Sequence, residues 1–329
     1  MMKKIIYSII VASIIIGVAL LLSRKQPGRV RIGYLPLAMH APLFVAQEKG
    51  YFTARNIKAE LIEYPSSDLL IRALLADRVD VGYELGTDVV FNAMAKDPTL
   101  LKIYQISLSY KNATSDYMLV PIDSDLKSLA DLRGKRLGVF PGPTASAFAK
   151  LALAKAAQID ARKDLLLTSL PPQIQIDALA SKKIDALFTY EPWASKAVVE
   201  KKAKILQAAP VEEYIINPWP GGVGVITKYF LARNTKARQV VEALYQAFDA
   251  IEKDPQIRQK VLVERFNLSP EVAKRIHLTK HWVTYRTQVA GSSEVVDRVH
   301  IVRFLQILVS EGIVAGPVET SGIYFEPNK

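Results

Sequence analysis

One spacing recurs in this chain and narrows the fold more than any other feature. Arg31-Ile32-Gly33…Pro36 returns as Arg136-Leu137-Gly138…Pro141, and Ala73-Leu74…Val79-Asp80 returns as Ala178-Leu179…Ile184-Asp185. Each matched residue lies 105 positions from its counterpart. Two matches at one constant offset predict two lobes of similar local architecture. Around the first copy, Arg31–Phe52 (RIGYLPLAMHAPLFVAQEKGYF) reads as a strand, a Pro-containing loop and a helix, with Gly50 as the helix stop. A strand–loop–helix junction of this kind presents backbone N–H groups to a small ligand.

The same alternation continues. Ile57–Tyr64 reads as a strand, Leu69–Ala76 as a helix and Val79–Tyr83 as a short strand. Leu85-Gly86-Thr87-Asp88 forms a second junction, with Thr87 or Asp88 as N-cap. Strands follow at Leu101–Ser109, Tyr117–Pro121 and Arg136–Phe140, and Pro141–Ser146 opens an alanine-rich helix to about Ala157. Tyr190-Glu191-Pro192-Trp193 starts another helix, Val223–Thr227 is an apolar strand, and from Asn234 onward the pattern is mainly helical. The expectation is an α/β fold of two lobes joined by a hinge. The expected divisions are 1–28 as membrane segment and tether, 29–118 as first lobe, 119–225 as second lobe, and 226–329 as the helical remainder of the first.

Half of the 329 residues are hydrophobic, so a sizeable core is available. The net charge of +11 comes without a Lys/Arg block interleaved with aromatics, which argues against a nucleic-acid partner. The absence of cysteine excludes disulfides, thiol catalysis, Cys-ligated metal and lipid attachment through an N-terminal Cys. After Lys3-Lys4, Ile5–Leu22 runs 18 residues without a charge. As a helix it spans roughly 27 Å, enough for a bilayer core. An uncleaved anchor is the preferred reading and a cleaved signal peptide the alternative. Either places the folded part in the periplasm or at the cell surface. No Ser-His-Asp order, P-loop or dinucleotide glycine motif appears, so neither catalysis nor a cofactor is expected. His277 and His281 have a metal-compatible spacing, but HLTKH lacks the Glu of H-E-x-x-H and a third ligand; a solvated face is the preferred reading.

Four segments carry a family resemblance. They are Ile32-Gly33-Tyr34…His40-Ala41-Pro42-Leu43-Phe44-Val45-Ala46…Lys49-Gly50-Tyr51-Phe52, Leu74–Gly82 (LLADRVDVG), Asp131–Val139 (DLRGKRLGV) and Tyr190-Glu191-Pro192-Trp193-Ala194. In order and spacing they resemble periplasmic solute-binding proteins of the nitrate/sulfonate/taurine and thiamine-precursor family. The resemblance implies a type II periplasmic-binding fold that holds a small-molecule solute between two lobes and delivers it to an ABC permease and its ATPase. The same family includes pyrimidine synthases, whose Cys-rich iron motif this chain lacks. A thiamine-precursor ligand and a membrane-tethered sensor remain alternatives.

The candidate binding residues each have a plainer role beside the functional one. His40 can donate to or stack on a ligand, or pack its loop, and Tyr34 can wall a pocket or serve as a core or surface aromatic. Gly86, Thr87 and Asp88 can admit a ligand to a helix N-terminus or merely cap it. Thr144, Ala145 and Ser146 repeat that geometry and form the preferred subsite for a sulfonate, nitrate or carboxylate. Glu191 can bind an amine or oppose a helix dipole. Gly221 and Gly222 can bring backbone to the ligand or form a turn. A small anionic or zwitterionic solute is the expected guest.

Overall fold

The computed structural model describes residues 28–233, 236–276, 282–284 and 294–326. The apolar run 5–22 and the two histidines of HLTKH lie outside them. Among the described residues no helix is long and apolar enough to cross a membrane.

The first unit runs β1 (Arg29–Tyr34), α1 (Ala41–Glu48), β2 (Lys58–Glu63), α2 (Ser67–Leu75), β3 (Val81–Gly86), α3 (Thr87–Lys96) and β4 (Leu101–Ser109). The second runs β5 (Asp116–Pro121), β6 (Arg136–Val139), α4 (Pro143–Ala157), β7 (Leu166–Ser169), α5 (Pro172–Ala180), β8 (Ala186–Tyr190), α6 (Trp193–Val199) and β9 (Ala203–Ala208). The chain then passes through α7 (Pro210–Tyr214) into β10 (Trp219–Thr227). The remainder comprises α8 (Lys228–Arg233), α9 (Ala237–Lys253), α10 (Pro255–Phe266), α11 (Pro270–Arg275), β11 (Trp282–Thr284) and α12 (Glu294–Ser310).

These strands form two sheets, ordered β11-β4-β10-β3-β1-β2 and β7-β6-β8-β5-β9. In each, a parallel trio is built first: β2-β1-β3 and β7-β6-β8. Each sheet then accepts an antiparallel strand between two others, β10 between β3 and β4 and β5 between β8 and β9, and β11 adds a further antiparallel pairing at the β4 edge. The chain therefore passes between sheets twice, after Ser109 and after Ala208.

The 105-residue offset survives down to single hydrogen bonds. Arg31 Nε donates to Asp80 Oδ2 at 3.1 Å, its Nη2 to Asp80 Oδ1 at 3.0 Å and to the Asp77 carbonyl at 2.7 Å. Arg136 makes the same set, to Asp185 at 3.0 and 2.7 Å and to the Lys182 carbonyl at 2.7 Å. In both copies a bidentate guanidinium clamps the first strand to the turn before the third.

Helices cover the first sheet. On α9, Val240, Val241, Leu244, Tyr245, Phe248 and Ile251 are buried, a stripe at helical spacing that packs on α1. Each large apolar side chain so buried contributes about 1.5–3 kcal/mol before entropy is counted. Phe304 of α12 stacks on Phe148 of α4, with ring centroids 5.9 Å apart, and so joins the C-terminal helix to the second sheet's layer. The Ser128–Asp131 turn is capped as its sequence requires: the Ser128 N–H donates to Asp131 Oδ2 at 2.9 Å.

Candidate functional site

The cavity of interest lies where the two sheets meet, at the C-terminal ends of β3 and β8. The first sheet supplies Glu84 and Gly86 from β3, Ser107, Leu108 and Ser109 from β4, and Trp219, Gly221 and Gly222 from β10. The second sheet's side supplies Phe140, Pro141, Thr144, Ala145 and Tyr190. Leu35, Leu37 and Met39 cover it from the loop after β1, and Ser67 and Ser115 complete the lining. About 70 Å³ is open to water-sized molecules, and the walls are mostly apolar. Tyr190 and Trp219 stack with centroids 6.3 Å apart, and Phe140 meets Tyr190 edge-on at 5.7 Å. No Lys or Arg lines this cavity among the described residues.

Glu84 is its acidic group. It sits in a wholly buried strand, in the left-handed region at φ 54°, which is uncommon for a residue with a Cβ. Gln105 Nε2 donates to Oε1 at 2.5 Å, and the Ser107 hydroxyl donates to the same oxygen. Oε2 is buried and has no partner among the described residues. Burial pushes the carboxyl up to about 8, against the two hydrogen bonds that favour its charged form. A Cβ on Gly222 would stand 2.4 Å from Oε2, so a side chain there would displace the Glu84 carboxyl from its present position.

The helix N-termini come together next to it. The Ser67 hydroxyl accepts from the Gly86 N–H at 2.9 Å, and Thr87 donates to the Pro220 carbonyl, fixing α3 to β10. Thr144, in the first turn of α4, donates its hydroxyl to Asp88 Oδ1 at 2.8 Å. Asp88 is 3% exposed, and burial raises its carboxyl to about 6. The first-turn N–H groups of α4 have no acceptor within their own helix. An acid of the first lobe thus faces the anion-favouring end of a helix in the second.

Behind the cavity, the two inter-sheet passages share a buried acid pair. Ser109 and Thr114 donate to Glu212 Oε1, and Thr114 also donates to Asp116 Oδ1 at 2.8 Å. Burial, then the neighbouring Glu212, holds Asp116 well above the usual carboxylate range.

Of the eleven candidate residues, Gly86, Thr144, Ala145, Gly221 and Gly222 line the cavity. Thr87 and Asp88 stand directly behind that wall. Ser146 faces a separate groove of about 1140 Å³ between α2, α3 and α4. His40 is fully buried: its Nδ1 accepts from the Leu35 N–H at 3.3 Å, its ring meets Tyr83 edge-on, and desolvation lowers it to about 3, so it is neutral. Tyr34 donates to Glu63 at 3.2 Å and lines a surface hollow with Phe44 and Arg265. The Glu191 carboxylate accepts from the Ser195 N–H at 3.0 Å and its hydroxyl at 2.7 Å, and burial raises it to about 7. Glu84, Trp219, Tyr190 and Phe140 were not singled out from the sequence as binding residues. The available signal was one carboxylate inside the apolar run Val81–Leu85, just ahead of Gly-Thr-Asp.

Comparison places this architecture among known proteins. A protein of Brucella abortus (strain 2308) described as a binding protein is 25% identical over 231 residues, 70% of this chain and 66% of the relative, just under two thirds of its length. The alkanesulfonate-binding protein of Xanthomonas axonopodis pv. citri bound to MOPS superposes with a TM-score of 0.71 at 22% identity, over 92% of this chain and 99% of the other. The periplasmic nitrate-binding protein of Synechocystis PCC 6803 gives 0.67 at 16% identity, over 90% and 84%. At these identities the likeness shows the fold, an α/β periplasmic-binding architecture of two sheets. The model of the NMT1-like family matches residues 23–263, well over half of the chain, and the protein belongs to that family.

Proposed function

We propose that this chain is the extracytoplasmic solute-binding component of an ABC importer, with no catalysis of its own. It would hold a small oxyanion or zwitterion of the sulfonate, taurine or nitrate class and pass it to a permease and its ATPase. The observation that carries this reading is the small cavity between two sheets, flanked by both chain passages, where hinge motion of one sheet against the other would open and close it. The lobes in this reading follow the sheets: β1 to β4 with β10 and the chain after it form one, and β5 to β9 the other, so the divisions expected at 118 and 225 move to the passages after Ser109 and after Ala208. The oxyanion end of the solute belongs at the first turn of α4, beside Thr144 and Ala145. Residues 5–22 serve as a membrane anchor, or as a signal peptide removed on export. N-terminal sequencing of the mature protein separates the two.

Calorimetry against taurine, alkanesulfonates and nitrate, paired with X-ray scattering, tests the proposal. A binder in the panel that also shrinks the scattering envelope is the expected result; silence across the panel with an unchanged envelope overturns it. A thiamine-type pyrimidine precursor is the second reading. The aromatic walls Phe140, Tyr190 and Trp219 favour it, since a flat ring stacks on such faces.

A further inference from the structure

The lining of the cavity narrows the solute further, on the reading that this cavity is the solute site. We propose that Glu84 Oε2 accepts a hydrogen bond from an N–H group of the solute, so that the guest carries an amine beside its apolar or aromatic body and a bare oxyanion is the poorer ligand.

Four observations carry this. The carboxylate is 3% exposed and lines the cavity, with Oε1 engaged by Gln105 and Ser107 and Oε2 unengaged among the described residues. Before a solute enters, burial keeps Glu84 protonated, the proton resting on Oε2 because Oε1 already accepts from Gln105 and Ser107; an incoming ammonium or protonated aminated ring favours the ionised carboxylate, and Oε2 then accepts its N–H and is no longer unpartnered. The internal repeat supplies a control: the residue 105 positions on is Thr189, equally buried, whose hydroxyl donates to Gln175 Oε1 at 2.7 Å. The structural version of this position is therefore satisfied within its own lobe, whereas Glu84 keeps an oxygen in reserve. The described lining also holds no Lys or Arg to neutralise an oxyanion or to pair with Glu84. Lastly, aromatic faces beside a carboxylate suit an ammonium or an aminated ring, which they contact through cation–π or stacking interactions.

Zwitterionic aminosulfonates and aminopyrimidines share this chemistry, and matched ligands distinguish them. Titration calorimetry of the wild-type protein compares taurine with ethanesulfonate, and 4-amino-5-hydroxymethyl-2-methylpyrimidine with its 4-hydroxy analogue. The expected result is at least tenfold tighter binding of the aminated member in one pair, falling below threefold in Glu84→Gln. If Glu84→Gln does not fold, as judged by circular dichroism, the wild-type preference within each pair decides. Binding of ethanesulfonate as tight as that of taurine, with no preference in the pyrimidine pair, overturns the role of Glu84 while leaving the solute-binding reading intact. So does a tenfold preference that Glu84→Gln, correctly folded, leaves unchanged. No heat from any of the four ligands overturns the role of Glu84; the solute-binding reading falls with it only when nitrate and the other alkanesulfonates are also silent and the scattering envelope is unchanged.

Discussion

Replacing Glu84 by Gln should change how the protein's stability depends on pH, in a direction and size that the burial of this carboxyl sets. In the unfolded chain the group titrates near its ordinary 4.5; in the fold it titrates at about 8, because its charged form has lost its water. The folded state therefore keeps a proton that the unfolded state releases, and stability falls as pH rises between those two values. At about 1.36 kcal/mol per pH unit the full loss approaches about 5 kcal/mol. Water entry and relaxation around a nascent charge reduce it to about 2–5 kcal/mol. The titratable neighbours Tyr83, next to it on β3, and Tyr104, on β4, are held well above 10 by burial and stay neutral throughout. A Gln amide cannot titrate, while its carbonyl oxygen can accept from Gln105 and Ser107 as Oε1 does. Urea unfolding of both proteins at intervals from pH 5 to 8.5 isolates the group, since His40, Asp88, Asp116 and Glu191 titrate in both and cancel. The mutant should gain on the wild type by about 2–4 kcal/mol across that range, which begins half a unit above the unfolded value. Two curves that stay parallel within about 0.5 kcal/mol would show that Glu84 is solvated, and the reasoning built on its burial would fall.

Two further outcomes rest on packing. In Gly224→Ala the new methyl would lie 2.5 Å from Cζ of the buried Tyr104 ring, whose hydroxyl donates to the Gly82 carbonyl, so urea unfolding should show a loss of about 1–3 kcal/mol. The repeated clamp gives a matched pair: the Asp80 side chain is 1% exposed and that of Asp185 27%, so Asp80→Asn should cost about 3–5 kcal/mol and Asp185→Asn about 1 kcal/mol or less, with equal losses refuting the part assigned to burial.

The parts of the fold legible in the sequence are those whose signals are local or repeated. The offset of 105 was visible because Arg31, Gly33, Asp80 and their counterparts each have one fixed physical role, either in a guanidinium clamp or at a strand position where neighbouring apolar side chains pack against bare backbone. Junctions announced themselves through Gly, Pro and Thr, residues with few alternatives at a strand-to-helix turn. The insertion of β10 and β5 into opposite sheets had no such signal, because an apolar strand reads alike whichever sheet receives it.

The binding wall was less legible for a related reason. Sequence spacing identifies which backbone turns toward a cleft, and Gly86, Thr144 and Gly221 were found that way. It does not reveal which side chain the turn throws inward. His40 stands in the right loop, yet its ring rotates into the core against Tyr83, where desolvation keeps it neutral. Glu84 stands in a strand read as ending at Tyr83, yet it has a left-handed φ, lines the cavity, and lies beside Gly222, whose missing side chain leaves its carboxyl room. Comparing the two halves recovers what spacing alone misses. Where Thr189 closes its hydrogen bond inside its lobe, Glu84 keeps one carboxyl oxygen without a partner among the described residues. A position that departs from its internal copy at a cost in stability is where specificity for a solute has the clearest physical reason to reside.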